Sequence, residues 1–519
     1  VTIGTLCAGL PDLDIKGPVE TEIRGITSDS RKAGPGVLFV AVEGTGGNGH
    51  DFLADAMASG CAAVAVQRDH LGRVAAELTG YEGAVVTAAR TRPLPALLGR
   101  SLHGKPDLKL LTAAVTGTNG KTTVSYLMRE MLNRLEGPCG LLGTIAYDDG
   151  RTREPAPLTT PGGPVFYSWL GRMTAGGCRS VAMELSSHGL DQERVAGLEL
   201  DVAVMTNLGR DHLDYHRDLQ DYLAAKARII DLLRPAGESG RGPGRLVLNQ
   251  DDPHLAGLDT GAAEVLRFSA GNPTGNPSGN PSAADHPADL KVVAADLDLT
   301  GTRLVLDWRG RRLEIDSPLV GRFNIENLTA ALAAGLALQL DPGDCAAALA
   351  GVAQVPGRLE QFLLPGGGLA VVDYAHTHDA LAAVLRTCDE LSDGRLLVVF
   401  GCGGDRDRGK RPLMGRVAAR ESDQAWITSD NPRGEEPGGI IRDILKGYDE
   451  VREPRAAGRE MVIDRREAIE AALNQAGAGD IVVVAGKGHE DYQLVGGRVL
   501  SLDDREIVRE WINLNSNHE

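Results

Sequence analysis

Apolar positions in this chain gather into short runs separated by glycine, proline and charged residues. Val37 to Ala41 and Ala62 to Val66 are two such runs, and others lie at Leu110 to Val115, Val181 to Leu185, Val202 to Thr206 and Leu246 to Leu248. Later ones occupy Leu396 to Phe400, Ala425 to Thr428 and Ile481 to Ala485. Continuous apolar runs of this length predict strands buried on both faces. Between them, helical spacing predicts helices from about Thr122 to Leu135, Leu219 to Leu233 and Asn324 to Leu340. Strands alternating with helices predict an α/β fold built on parallel sheets.

Three blocks separate along the chain, at residues 1–106, 107–354 and 355–519. In the second and third, polar or glycine-rich signatures follow the carboxyl ends of the predicted strands, where open α/β sheets hold their ligands. Two sheets facing each other across a cleft are therefore expected. Between Gly271 and Pro281, Gly-Asn-Pro occurs three times, a composition that forms no packed element and predicts a flexible surface insertion.

Composition narrows the class. A chain of 519 residues is too long for one core. With 42% hydrophobic and only 4% aromatic residues, its cores must be aliphatic. A formal net charge of -17 excludes a general nucleic-acid or membrane-surface binder. The seven cysteines form no C-x-x-C pair, so reduced thiols are expected and not a disulfide framework or zinc site. No apolar run approaches a membrane span, and no basic segment followed by an apolar core opens the chain, so a soluble, cytoplasmic protein is expected.

The clearest chemistry is Gly117-Thr118-Asn119-Gly120-Lys121-Thr122-Thr123, between a predicted strand and a predicted helix. Val115 stands where the strict phosphate-loop pattern has its first glycine. What remains still suits a triphosphate. Gly117 and Gly120 let backbone N–H groups approach phosphate oxygens, the helix N-terminus adds positive potential, Lys121 neutralises charge, and Thr122 offers a hydroxyl to Mg²⁺.

Glu184 ends another strand and leads into Ser186-Ser187-His188, while Asn207 to His216 packs acids and imidazoles into one loop. Such a run by itself is usually solvated charge, but beside a phosphate loop it predicts a magnesium site. Lys226 shares the apolar stripe of its helix with Leu219, Tyr222, Leu223, Ile229, Ile230 and Leu233. Either it snorkels to water, or burial strips its proton and leaves an amine able to take up carbon dioxide as a carbamate. In the third block come Gly403 to Arg408, Asp430-Asn431-Pro432-Arg433 and Gly486 to Glu490. Arg406 and Arg433 could grip carboxylates and Glu490 an ammonium, the groups of an amino acid. Alone, the tetrapeptide also fits a β-turn with an exposed arginine.

Taken in order, the motif at 117–123, Met183 to Leu190, Asn207 to His216, Ala224-Ala225-Lys226 and Asp430 to Pro437 resemble the Mur ligase family over essentially the whole chain. The tetrapeptide resembles that of the family's diaminopimelate-adding branch. The resemblance implies an N-terminal α/β UDP-binding domain, a central ATPase-type parallel sheet and a C-terminal Rossmann-like domain. It further implies that Ser28, Ser30, Thr45 and Gly46 hold the uridine diphosphate, and that Thr159, Thr160, Ser186, Gln192 and Arg194 hold the muramoyl dipeptide. Thr122, Glu184, His212 and Lys226 would form the metal region, with two Mg²⁺ and an N6-carboxylysine at Lys226. Gly117, Thr118, Asn119, Gly120, Lys121, Thr122, Thr123, Asn324, Arg358, Asp373 and His376 would contact ATP. Arg406, Asp430, Asn431, Pro432, Arg433, Gly486 and Glu490 would hold meso-2,6-diaminopimelate, with Lys121, Glu184, His212 and Lys226 as catalytic residues. The implied activity is ATP-dependent, ADP-forming amide synthesis on UDP-N-acetylmuramoyl-L-Ala-D-Glu by a monomer. A lysine-adding ligase, or a nucleotide-switched binding module, are the alternatives. One departure stands out: His378 replaces a family proline after His376, which predicts a less restrained backbone there.

Overall fold

The structure, a computed structural model, describes residues 1–516 apart from 45–46, 210, 213–214, 238–240, 272–286, 299 and 457. Thr45, Gly46 and nearly all of the Gly-Asn-Pro stretch therefore lie outside the described residues. The chain divides into two compact units. One holds Val1–Ala294, Val305–Glu314 and Glu326–Leu349, the other Ala295–Leu304, Ile315–Ile325 and Ala350–Glu519.

The first unit carries two large sheets and a two-stranded ribbon, Glu43–Gly44 with Gly47–Asn48. The N-terminal large sheet has five strands in the order Leu13–Lys16, Ala84–Ala88, Ala63–Gln67, Val37–Val40 and Gly25–Thr27, parallel except for the Leu13 edge strand. Its inward side chains are almost all Val, Ile, Leu and Ala, as the aromatic-poor composition requires.

The second sheet has a parallel heart in the order Cys139–Leu142, Ser180–Glu184, Leu111–Thr116, Val202–Met205, Arg245–Asn249 and Glu264–Ser269. The central strands of this set are near-continuous apolar runs, as strands buried on both faces require, whereas Glu264–Ser269 alternates buried and partly exposed positions. The chain leaves Leu111–Thr116 toward one side and later returns to build on the other, so strand order reverses at that strand. Such a switch opens a crevice beyond the carboxyl ends. There the phosphate loop finds Glu184 on one flank and Asn207 on the other.

The helix after the Asn207 loop is shorter than its apolar periodicity predicts. It spans Leu219–Ala227 and then tightens into a 3-10 turn at Ile230–Leu232. Tertiary pairing is the cause: Leu200 donates its N–H to the Leu232 carbonyl (2.8 Å), and Arg234 donates to the Leu200 carbonyl (2.9 Å). Backbone captured this way cannot stay helical.

In the second unit, six strands run in the order Glu360–Leu363, Leu369–Asp373, Ile481–Ala485, Leu396–Phe400, Gln424–Ile427 and Gly458–Met461, all parallel except the first. The Ile481 strand comes last in sequence yet sits between the Leu369 and Leu396 strands, so its end, Gly486, is placed among the loops that follow Asp373, Phe400 and Ile427. All seven cysteines are free and buried. Among the described residues no helix is long and apolar enough to cross a membrane.

Candidate functional site

The strand Leu111–Thr116 delivers the chain into the phosphate loop, and the helix Lys121–Leu135 begins immediately after it. Both glycines are obligatory for steric reasons. A Cβ on Gly117 (φ 155°) would lie 1.9 Å from the Thr206 hydroxyl, and one on Gly120 (φ 82°) 2.5 Å from the Asn327 amide oxygen. The loop is pinned from the neighbouring strand end. Asn119 donates its N–H to the Asn207 side-chain oxygen (2.8 Å), Thr118 donates to the Asn207 carbonyl (2.9 Å), and the Thr206 hydroxyl donates to the Asn119 carbonyl (2.7 Å). Lys121 folds back so that its ammonium donates to the Gly117 and Thr118 carbonyls (2.9 and 2.8 Å).

Lys226 reaches the same place. It is 1% exposed and donates to the Gly117 carbonyl at 2.7 Å, with the Tyr222 ring 4.3 Å from its nitrogen. Snorkelling is thereby excluded. Burial, reinforced by the nearby Lys121 charge and only partly offset by Asp211, pushes its pKa well below the ordinary lysine value. A nearly dry amine that loses its proton readily is the kind of nucleophile that can attack carbon dioxide.

Glu184 is 1% exposed at the end of its strand. One carboxylate oxygen accepts from the Thr144 N–H (2.7 Å); the other accepts from the hydroxyls of Thr144 (3.0 Å) and Thr122 (3.1 Å). Thr122 and Glu184, singled out from different motifs, are thus neighbours. Their oxygens suit a hard cation such as Mg²⁺. His212 belongs to a ring cluster, 4.9 Å from His188 and 6.2 Å from Tyr222 between ring centres. Among the described residues no three His, Cys, Asp or Glu side chains gather as a metal cage.

The five residues expected to hold the muramoyl dipeptide converge around the same strand end. The Thr160 hydroxyl donates to the Glu184 carbonyl and accepts from the Ser186 N–H (both 2.9 Å). Arg194 donates to the Thr160 carbonyl (2.8 Å) and forks onto the Gln192 amide oxygen (3.1 and 2.8 Å). Thr159 meets Thr144 at 3.0 Å. Ser28 is exposed and Ser30 half-buried, just beyond the strand Gly25–Thr27.

In the second unit the strand ends gather the remaining candidates. Asp430 and Asn431 are buried at 7% and 4% exposure. Asn431 donates to Glu490 (2.9 Å), whose carboxylate also accepts from the fully buried Lys487 (3.1 Å). Arg433 takes a left-handed backbone (φ 52°) and donates to the Gly404 carbonyl at 2.9 Å. Arg406 is exposed, with one hydrogen bond to the Asp405 carbonyl. Behind the loop, buried Arg411 forks onto Glu435 (2.8 and 3.0 Å), whose carboxylate it holds down at about 2.

On the other side of the Ile481 strand, Asp373 is buried and accepts from the N–H groups of Leu359 and Ala375 (2.9 and 2.8 Å). Burial raises its pKa against the opposing pull of Arg358, whose guanidinium lies 4.9 Å from the Tyr374 ring centre. His376 contacts the Tyr374 carbonyl (2.9 Å), and Lys410 donates to the His376 carbonyl (2.8 Å). Asn324 is 3% exposed and donates to the Val320 carbonyl (2.7 Å). After His376, Thr377 caps the helix His378–Leu391 by accepting from the Ala380 N–H (3.3 Å).

Several supporting residues escaped the sequence reading. Glu326 accepts from the Asn207 amide (2.8 Å) and so sits one residue behind the phosphate loop. Asp252 fixes the Leu208 N–H (2.7 Å) and Thr144 holds Glu184. The only available signal was position, just after a strand or at a helix start.

The pattern of the Mur ligase middle domain matches residues 115–335. That of the Mur ligase glutamate ligase domain matches 357–488, and that of the Mur ligase family catalytic domain matches 22–101. The chain belongs to the Mur ligase family. It is 39% identical to the UDP-N-acetylmuramoyl-L-alanyl-D-glutamate--2,6-diaminopimelate ligase of Syntrophomonas wolfei, over 96% of each chain. It is also 39% identical to the protein of that name from Geobacter sulfurreducens, over 95% of each. A solved structure of a ligase with that name superposes with a TM-score of 0.65 at 32% identity, covering 100% of this chain and 99% of the other. The MurF ligase of Thermotoga maritima, solved with ADP, shares the fold at 18% identity with a TM-score of 0.58, over 95% and 98% of the two chains.

Proposed function

We propose that this chain is an ATP-dependent ligase that joins meso-2,6-diaminopimelate to the D-glutamate γ-carboxylate of UDP-N-acetylmuramoyl-L-Ala-D-Glu in peptidoglycan synthesis. The reading is carried by full-length similarity to diaminopimelate ligases in a chain whose Asp430–Arg433 loop is fixed among four strand ends. It includes three domains, at 1–106, 107–354 and 355–519, and a monomer working in the cytoplasm.

The D-glutamate γ-carboxylate attacks the terminal phosphorus of ATP, giving an acyl phosphate and ADP. The diaminopimelate amine then attacks the activated carbonyl, and phosphate leaves with the C–O bond electrons. Bringing a carboxylate to a triphosphate is an electrostatic problem. Lys121 and the helix N-terminus behind Gly120 offset it with fixed positive charge. Thr160, Ser186, Gln192 and Arg194 orient the dipeptide acid beside Glu184. Thr122, Glu184, a carbamate on Lys226 and His212 would hold magnesium, which when bound neutralises the triphosphate. ATP is further met by Asn324, Arg358, Asp373 and His376, and the uridine diphosphate by Ser28, Ser30, Thr45 and Gly46.

Amino-acid choice rests on one carboxylate. Meso-diaminopimelate carries a distal acid where lysine has hydrogen, so Arg433 gains a partner with the first and none with the second. A charge-assisted hydrogen bond contributes roughly 1.5–3 kcal/mol. Incubation with ATP, magnesium and the muramoyl dipeptide, supplied with either amino acid, tests the proposal through phosphate release. Release with diaminopimelate and little with lysine is expected; equal or greater release with lysine would overturn it.

A further inference from the structure

Beneath the amino-acid loops lies a fully buried ion pair that the mechanism above does not use. Arg465 opens the helix Arg465–Gln475 and Asp504 opens the helix Asp504–Asn515; both side chains are 0% exposed. The guanidinium donates to both Asp504 oxygens, at 2.8 and 2.7 Å. Its remaining hydrogen bonds go to the ends of two different strand extensions: the Ala485 carbonyl at 2.9 Å and the Ser429 carbonyl at 3.4 Å. Those residues immediately precede Gly486 and Asp430.

This is an expensive place for a cation. It is dry, and it sits at a helix N-terminus, where the macrodipole opposes positive charge. Apolar residues of similar volume would fill the space at no such cost. What they could not do is bind two carbonyls at once. The strand ends also approach each other closely here. A Cβ on Gly486 would lie 2.7 Å from an Asp430 carboxylate oxygen and 3.9 Å from the Arg465 guanidinium. The same cation acts electrostatically on Asp430 and Glu490.

We propose that Arg465, locked by Asp504, is a positioning residue of the amino-acid pocket: by joining Ser429 to Ala485 it sets the spacing of Asp430 against Gly486 and Glu490, and with it the affinity for the incoming diamino acid. The proposal rests on the diaminopimelate reading of that pocket.

Two conservative variants test it. Arg465→Lys keeps the charge but cannot reach both carbonyls, and Asp504→Asn keeps the shape but frees the guanidinium. KM is measured for each of the three substrates, with circular dichroism to verify folding. The KM for diaminopimelate is expected to rise roughly tenfold, as for loss of a charge-assisted hydrogen bond. Those for ATP and the muramoyl dipeptide should stay within about twofold, having no shared partners with Arg465. An unchanged diaminopimelate KM, three constants rising together, or failure of both variants to fold would overturn the proposal and assign the pair to the fold alone. A wild-type enzyme silent with diaminopimelate would instead sink the substrate reading itself, before any variant is made.

Discussion

Asn431 donates its side-chain amide to Glu490 across 2.9 Å, and its amide oxygen accepts the Leu494 N–H at the same distance. One side chain thus ties the tetrapeptide loop to the acid that would meet the substrate ammonium and to the strand beyond it. Asn431, Glu490, Lys487 and Leu494 are joined by hydrogen bonds, so changes among them are expected to couple.

Arg433→Ala removes the proposed distal-carboxylate fork and its bond to Gly404. The kcat/KM for diaminopimelate is expected to fall by about 10- to 100-fold, corresponding to roughly 1.5–3 kcal/mol. ATP binding, measured by nucleotide titration, should be retained. Unaltered constants for diaminopimelate would remove Arg433 from the pocket.

Lys226→Met is expected to abolish ligation, by roughly 100-fold or more, as for loss of an electrostatic element at the reacting phosphate. Its effect on stability should run the other way. A lysine whose folded pKa is depressed costs stability wherever the unfolded amine is charged, and the cost recedes as pH rises toward 10.5. In carbon-dioxide-free buffer near neutrality the variant should therefore melt above the wild type. Added bicarbonate should raise wild-type activity, and 13C-labelled bicarbonate should give a carbamate signal in the NMR spectrum of the folded wild type that the variant lacks. A variant that melts lower, with bicarbonate without effect, would contradict the carbamate.

Gly117→Ala places a methyl group 1.9 Å from the Thr206 hydroxyl, whereas the same change at Gly120 meets the Asn327 side-chain oxygen at 2.5 Å. Both backbones have positive φ, a strain of about 1–2 kcal/mol for alanine. Affinity for ATP should drop in both, and further at Gly117, whose neighbour also anchors the loop through Asn119. Isothermal titration with a non-hydrolysable ATP analogue measures the difference; equal wild-type affinity at Gly117 would mean the loop does not cradle phosphate.

Glu326 is half-buried against Asn207, and burial together with the acids Asp251 and Asp252 pushes its carboxyl up to about 7. A carboxyl raised in the fold holds its proton more tightly folded than unfolded. The stability this contributes is present below 4.5 and is lost as pH rises toward 7. Glu326→Gln, permanently neutral, should flatten that slope and be more stable than wild type above neutrality. Urea midpoints on either side of neutrality check this; parallel slopes would show that Glu326 does not titrate there.

Much of the architecture was legible in the chain. The runs at Leu396 to Phe400 and Ile481 to Ala485 coincide with the observed strands, because a strand buried on both faces must be apolar throughout. The phosphate loop was legible too, since only glycine fits where Thr206 and Asn327 press on the backbone. Lys226 could be singled out by its place on an apolar stripe, though its burial could not be decided. That depended on Gly117, 109 residues away, offering a carbonyl.

What the sequence determined by itself was local: which segments are strands, where glycine is obligatory, and which acids, imidazoles and guanidiniums follow a strand end. Periodicity and steric constraint act between near neighbours and are written in near neighbours. Only the tertiary structure decided which strand ends stand side by side, how far the helix beginning at Leu219 runs before Leu200 captures its backbone, and that Arg465 joins Ser429 to Ala485. Those outcomes follow from strand order and hydrogen-bond satisfaction between distant segments, and no window of sequence contains both partners.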